Sequence, residues 1–346
     1  MGEQALWSPR VPSQVEVSAS LAGLKPARDG EYRLLSSPGM VSVGRRKSDS
    51  VQRQSKETWH GGTRGSVQGW SKQSRLNMVK TYSQLDYSPL LLPTAIPAMI
   101  TLTLPGKAWE IVAPDPQAFK KLVNTFKRRW LDKWGTPIVG LWKMEFMSAD
   151  GAARSAPHLH CFVTLPQQAG FRGWLSSTWA EVVNHPDPTE REKHERAGTA
   201  VDTAKGFRST DPKRIATYFS KHGLFGAKEY QNTPPAQWTG KSGRYWGYWG
   251  LKKATAEVRI HQQESIEVAR ILRRYLHSQR IRIQIKVWRQ KINPETGEIT
   301  KGRYRRSGIR MGSNRHQGAI GAGYAIVNDA PALAIMVSRY VNSLRN

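Results

Sequence analysis

The run His158-Leu159-His160-Cys161-Phe162-Val163 leaves the backbone few choices. It is apolar apart from two histidines one residue apart, and it has the residues of a strand. Alternate residues of a strand share a face. His158 and His160 therefore project together, with Leu159, Cys161 and Val163 on the other side. Two imidazoles fixed side by side on a rigid strand can bind one divalent metal ion.

Charge narrows the partners. The 346 residues include 53 Lys and Arg against 26 Asp and Glu, a formal net charge of +27. The surplus is spread along the chain and interleaved with aromatics, among them 13 Trp. That pattern points to nucleic acid rather than to a solvated basic tail. The single cysteine, Cys161, excludes an internal disulfide and fits a reducing compartment. Its place on the apolar side of the strand predicts a buried thiol, not a nucleophile. No apolar run approaches a membrane span, since residues 90–104 are broken by Pro93 and Pro97. The N-terminus has no signal pattern. A cytoplasmic protein with no membrane partner is expected.

Three regions are read along the chain. Residues 1–90, rich in Ser, Gly, Gln and Arg, read as a mostly disordered basic leader. Residues 91–252 carry the regular patterning. A strand is expected near 99–104, and Asp115-Pro116 then opens a helix with Asp as N-cap and Pro at the first position. Strands over 138–147 and 157–165 flank a small polar loop. A helix carries Phe171, Trp174, Leu175, Trp179 and Val182. Residues 185–198 read as a charged surface loop, and 199–203 as a short strand. Asp211-Pro212 opens another helix, closed by Gly223, and 242–250 alternate as a strand. Residues 253–346 form a basic region expected to bind DNA or dock. It has helices at 266–276 and 329–344 and a hairpin turn at 293–297. Residues 270–315 hold 14 Lys or Arg against two acids, Glu295 and Glu298. The element order predicts an α+β fold, an antiparallel or mixed sheet with helices packed on it.

Glu145 lies on the strand before the histidines, and antiparallel pairing brings its carboxylate beside them. Two nitrogens and one oxygen, with open positions left over, suit Mg²⁺ or Mn²⁺. Asp150 and Gln167 are rival third ligands. Downstream, Tyr218-Phe219-Ser220-Lys221 places a tyrosine and a lysine one helical turn apart. A phenol with a pKa near 10 is a poor nucleophile at neutral pH. A metal on the phosphate and a lysine cation beside the phenol both lower the barrier. His222 fits a helix-end residue meeting carbonyls. Gly240-Lys241-Ser242 lacks the upstream glycine of a phosphate-binding loop, because Pro235 stands there.

Together these pieces resemble the HUH endonucleases, specifically single-tyrosine rolling-circle replication initiators. The resemblance covers residues of about 98–250. Ile100-Thr101-Leu102-Thr103-Leu104 resembles the first-strand motif, His158-Leu159-His160 the histidine motif and Tyr218-Phe219-Ser220-Lys221 the tyrosine motif. Gly243-Arg244-Tyr245-Trp246-Gly247 resembles a strand that follows the tyrosine helix. The resemblance implies a central antiparallel sheet on which His158, His160 and Glu145 hold Mg²⁺ or Mn²⁺. It implies that Tyr218, with Lys221, attacks single-stranded or hairpin origin DNA. A 5′-phosphotyrosine link and a 3′-OH primer for a host polymerase would result. A host helicase would separate the strands in a prokaryotic, plasmid or phage replicon. Arg244, Arg305 and Arg306 are the expected DNA contacts. Two rivals remain: a single-tyrosine transposase of the same superfamily, and a basic DNA-binding protein without catalysis.

Overall fold

The computed structural model describes residues 12–45, 71–90, 96–146, 156–166, 170–203, 244–278, 280–313, 323–327 and 329–345, with Pro234, Pro235 and Trp238 between them. Of 280–292 and 299–313 it describes the backbone alone. Tyr218 and Lys221 with their helix, His222, Asp150, Gln167 and residues 240–242 lie outside the described residues, as do the side chains of Arg305 and Arg306.

Local chemistry starts most elements. Ser13 and Glu16 cap α1 (Gln14–Ala22) reciprocally, each side chain accepting from the other's backbone N–H. Pro38 and Gly39 alone turn β1 (Tyr32–Ser37) into β2 (Met40–Arg45). Ser71 caps α2 (Lys72–Ser83), and β3 (Ile96–Thr103) follows. Asp115 accepts from the N–H groups of Gln117 and Ala118 at 2.8 Å and Pro116 takes the first helical position of α3 (Pro116–Trp134). Gly135, at φ 69°, closes that helix. The chain continues through β4 (Gly140–Glu145), β5 (His158–Leu165), α4 (Phe171–Val183), α5 (Pro188–Ala197), β6 (Thr199–Asp202) and β7 (Trp246–Trp249). Then come β8 (Ala256–Ile260), α6 (Gln262–Ser278), β9 (Arg280–Ile292), β10 (Ile299–Ser313), β11 (Tyr324–Ile326) and α7 (Ala330–Ser343).

Five strands form an antiparallel sheet in the order β6-β3-β5-β4-β7, so the histidine strand is its centre. This is the expected α+β architecture, a central antiparallel sheet with packed helices. Gly140 is required by close approach, because a Cβ there would stand 2.1 Å from the Phe162 carbonyl oxygen on β5. Helices α3 and α4 join through aromatic rings: Trp134 and Trp174 centroids are 5.0 Å apart, and Trp130 and Phe171 5.4 Å. Cys161 is fully buried in this core, and burial pushes its thiol pKa up, which keeps it an inert thiol as expected.

A second antiparallel sheet, in the order β11-β2-β1-β8, joins the two ends of the chain. Leu34 and Val41 pack there with Val258, Ile260, Leu272 and Val337. The Asn342 amide donates to the Gly23 carbonyl at 2.8 Å, tying α7 to the end of α1. Strands β8 and β11 and helices α6 and α7, all from the basic region at 253–346, share a core with Leu21, Leu24, Leu34 and Val41. Within 1–90, read as leader, the described parts, 12–45 and 71–90, are built into the fold. Helix α2 packs on two sides, Met78 and Tyr82 in the core of the central sheet and Val79 in a small separate cluster with Met40, Tyr324 and Ile326.

Residues 185–198 are another correction. They are not a loop, since Pro188–Ala197 is helical with Asp187 as its cap. The Asp-Pro signature of α3 recurs there, on a segment without an apolar stripe. The expected turn at 293–297 joins β9 to β10, with Gly297 at φ 67° and its N–H donating to the Asn293 carbonyl. Among the described residues, no helix is long and apolar enough to cross a membrane.

Candidate active site

Ladder register sets the site. Glu145 on β4 pairs with His158 on β5, which pairs on its other side with Thr103 of β3. One step along, Lys143, His160 and Thr101 stand in a row. Directly opposite residues share a face, so these six side chains occupy one patch of the central sheet. Alternation along β5 alone places only the two histidines; strand pairing supplies the other four.

Within the patch, Glu145 is the hub. Its Oε1 accepts from Lys143 Nζ at 2.7 Å, and its Oε2 lies 3.3 Å from His160 Nε2. The other ring nitrogen of His160, Nδ1, is 3.0 Å from the Thr101 hydroxyl. Lys143 and Glu145 are 1% and 7% exposed, so this ion pair is shielded from water, while His160 is more open. Burial by itself pushes the Glu145 carboxyl pKa up. The hydrogen bond with His160 and the Lys143 ammonium outweigh it and hold the group well below the usual carboxylate range. Burial, then the neighbouring His160, push the His158 pKa down and keep that imidazole neutral, the form that binds metal. His158 Nδ1 is buried without a hydrogen-bond partner.

Two ligands at right angles and about 2.1 Å from a small divalent cation stand about 3 Å apart. The His160–Glu145 separation of 3.3 Å fits such a pair. The donor chemistry fits as well, an ionised carboxylate beside imidazoles. His158 is on the same face but has not converged with them, and among the described residues no three His, Cys, Asp or Glu side chains do so. Of the expected trio, the structure brings two donors together.

Lys143 is the residue that sequence reasoning missed. The signal was available: Lys143 and Glu145 alternate on one strand, as His158 and His160 do. Nothing local, however, shows that a lysine will be buried. Arg244 is exposed and lies just before β7, where the Met144 N–H donates to the Tyr245 carbonyl, at the Glu145 end of β4. It is thus a solvent-facing cation at the same end of the sheet as the site. Arg305 and Arg306 belong to the separate β9–β10 pair.

The chain is similar to a protein of Xylella fastidiosa (strain 9a5c) named "Putative replication protein", with 23% identity over 222 residues. The match covers 59% of this chain and 64% of that protein, so the chain spans less than two thirds of its relative's length. No known family profile matches the sequence, and no solved structure matches it.

Proposed function

We propose that this protein acts in DNA replication as an initiator that nicks one strand at an origin and later rejoins it. The observation that carries the reading is the Glu145–His160 pair on the central strands, beside a neutral His158, in a chain of net charge +27. The similarity to a protein named for replication supports the coarser part, a role in replication.

In this reading His160 and Glu145, completed by His158, hold Mg²⁺ or Mn²⁺, and the bound cation supplies positive charge to the scissile phosphate. Thr101 orients His160 through Nδ1, and Lys143 fixes the carboxylate of Glu145. Tyr218 is the nucleophile and Lys221 stabilises its phenolate. The tyrosine oxygen bonds to phosphorus as the 3′ oxygen leaves, giving a 5′-phosphotyrosine link and a free 3′-OH. That hydroxyl primes a host polymerase, and a host helicase opens the duplex. A later 3′-OH attacks the phosphotyrosine and restores the strand without an external energy source. Arg244 contacts the substrate strand near the site, which is single-stranded or extruded as a hairpin.

The test is a denaturing protein gel after incubation with single-stranded origin-region oligonucleotides and Mn²⁺. A protein–DNA band that disappears in Tyr218→Phe, in His158→Ala/His160→Ala and with chelator is the expected result. A band that persists in Tyr218→Phe means another nucleophile. Tight binding without any band removes the enzyme reading in favour of a non-catalytic DNA-binding protein.

A further inference from the structure

We propose that the β9–β10 ribbon is a duplex-DNA arm that lies in the major groove, separate from the sheet that handles the cleaved strand. Among the described residues, strands β9 and β10 pair only with each other, over nearly their full length. At roughly 3.4 Å per residue the 13 residues of β9 extend about 40 Å, more than one helical turn of B-DNA at about 34 Å. A two-stranded ribbon has the cross-section that a major groove admits. The pairing shifts between Arg306 and Gly308 and again between Thr300 and Arg303. Such irregularities increase the twist that a two-stranded ribbon already has, as following a groove requires.

The charge pattern selects the partner. Ten Lys or Arg fall between residues 280 and 313, at 280, 282, 286, 289, 291, 301, 303, 305, 306 and 310. The only acids in that span, Glu295 and Glu298, sit at the connecting turn. Alternation sorts β9 into two faces. One carries Arg280, Arg282, Gln284, Lys286, Trp288 and Gln290; the other carries Ile281, Ile283, Ile285 and Val287 before Arg289 and Lys291. Register adds Arg306 opposite Lys286 to the first face, with Tyr304, Ile309 and Met311, and puts Arg303, Arg305 and Arg310 on the second. Both faces therefore carry arginine, three on the first and four on the second, but both glutamines, Gln284 and Gln290, fall on the first, which so combines the residue types whose side chains read guanine and adenine edges with the phosphate-binding Lys286. Arg305 and Arg306, adjacent in sequence, belong to opposite faces and to different roles.

This inference deepens the proposed function by naming a duplex as a second DNA partner, and it is tested without cleavage. Full-length protein carrying Tyr218→Phe, in chelator, is titrated with a mixed-sequence duplex of about three helical turns and with one strand of it. Lys286→Glu/Arg306→Glu should weaken duplex binding at least tenfold and lower its salt slope by about 0.9 for each phosphate contact removed. Arg303→Glu/Arg310→Glu, on the other face, should change it less than threefold. Lys286→Gln/Arg306→Gln, which adds no acid, should show the same direction, with circular dichroism confirming the fold. Equal losses in both face variants, no loss in either, or a loss confined to the single strand would overturn the proposal. Loss of nicking in otherwise wild-type protein, with duplex binding intact, would count only against the catalytic reading.

Discussion

Lys143 Nζ and Glu145 Oε1 are 2.7 Å apart, two residues from each other on one strand and both shielded from water. The same carboxylate turns its second oxygen to His160. The lysine thus neutralises Glu145 before any cation arrives and holds one of its oxygens out of reach of the histidine. Breaking one side of a buried pair leaves the other charge uncompensated. Lys143→Met should cost about 3 kcal/mol of stability by denaturant unfolding. Added Mn²⁺ should recover more stability in this variant than in wild type, because an ion at His160 and Glu145 supplies the missing positive charge. Equal Mn²⁺ effects on both proteins would show that no ion binds at that carboxylate.

The depressed pKa of Glu145 has a signed consequence. A carboxyl held lower in the folded than in the unfolded chain contributes stability that is complete above the ordinary value of 4.5 and is lost as pH falls below it toward the folded value. Wild-type protein should therefore lose stability on acidification from about pH 4.5. Glu145→Gln should start less stable at neutral pH and lose less over the same range. Parallel pH profiles for the two proteins would assign the acid sensitivity to other carboxylates.

The Thr101 hydroxyl, 3.0 Å from His160 Nδ1, fixes the ring that points Nε2 at Glu145. Partners of this kind typically change metal affinity by about 10- to 100-fold. Thr101→Val should weaken Mn²⁺ binding by about tenfold in a paramagnetic titration and leave thermal stability nearly unchanged. Unchanged affinity would reduce Thr101 to a packing residue.

Gly140→Ala tests the contact between the ligand-bearing strands. A methyl group would meet the Phe162 carbonyl oxygen, which belongs to backbone and cannot rotate away. The variant should lose about 3 kcal/mol and bind Mn²⁺ more weakly, as β4 shifts against β5. Full stability in urea would show that the strands separate without cost.

Much of this was legible locally. Alternation marked β5 and put His158 and His160 on one face, and Asp115-Pro116 marked the start of α3. The same Asp-Pro signal at 187–188 was masked because α5 is charged and has no apolar stripe to confirm it. The hairpin near the N-terminus was hidden for a different reason. Its partner β8 lies more than 200 residues away, with Arg33 opposite Arg259, and a polar, glycine-containing segment shows nothing of so distant a strand.

The order of residues by itself determined which side chains alternate, which helices are capped, and that the chain carries a large positive charge. Those properties depend on neighbours within a few residues. Only the tertiary structure decided that Glu145 meets His160 rather than His158, that Lys143 is buried against it, and that the two ends of the chain share one sheet. Strand register is chosen by the burial of whole faces and by backbone hydrogen bonds, which are the same for every residue type but proline. No local pattern encodes which strand will stand opposite.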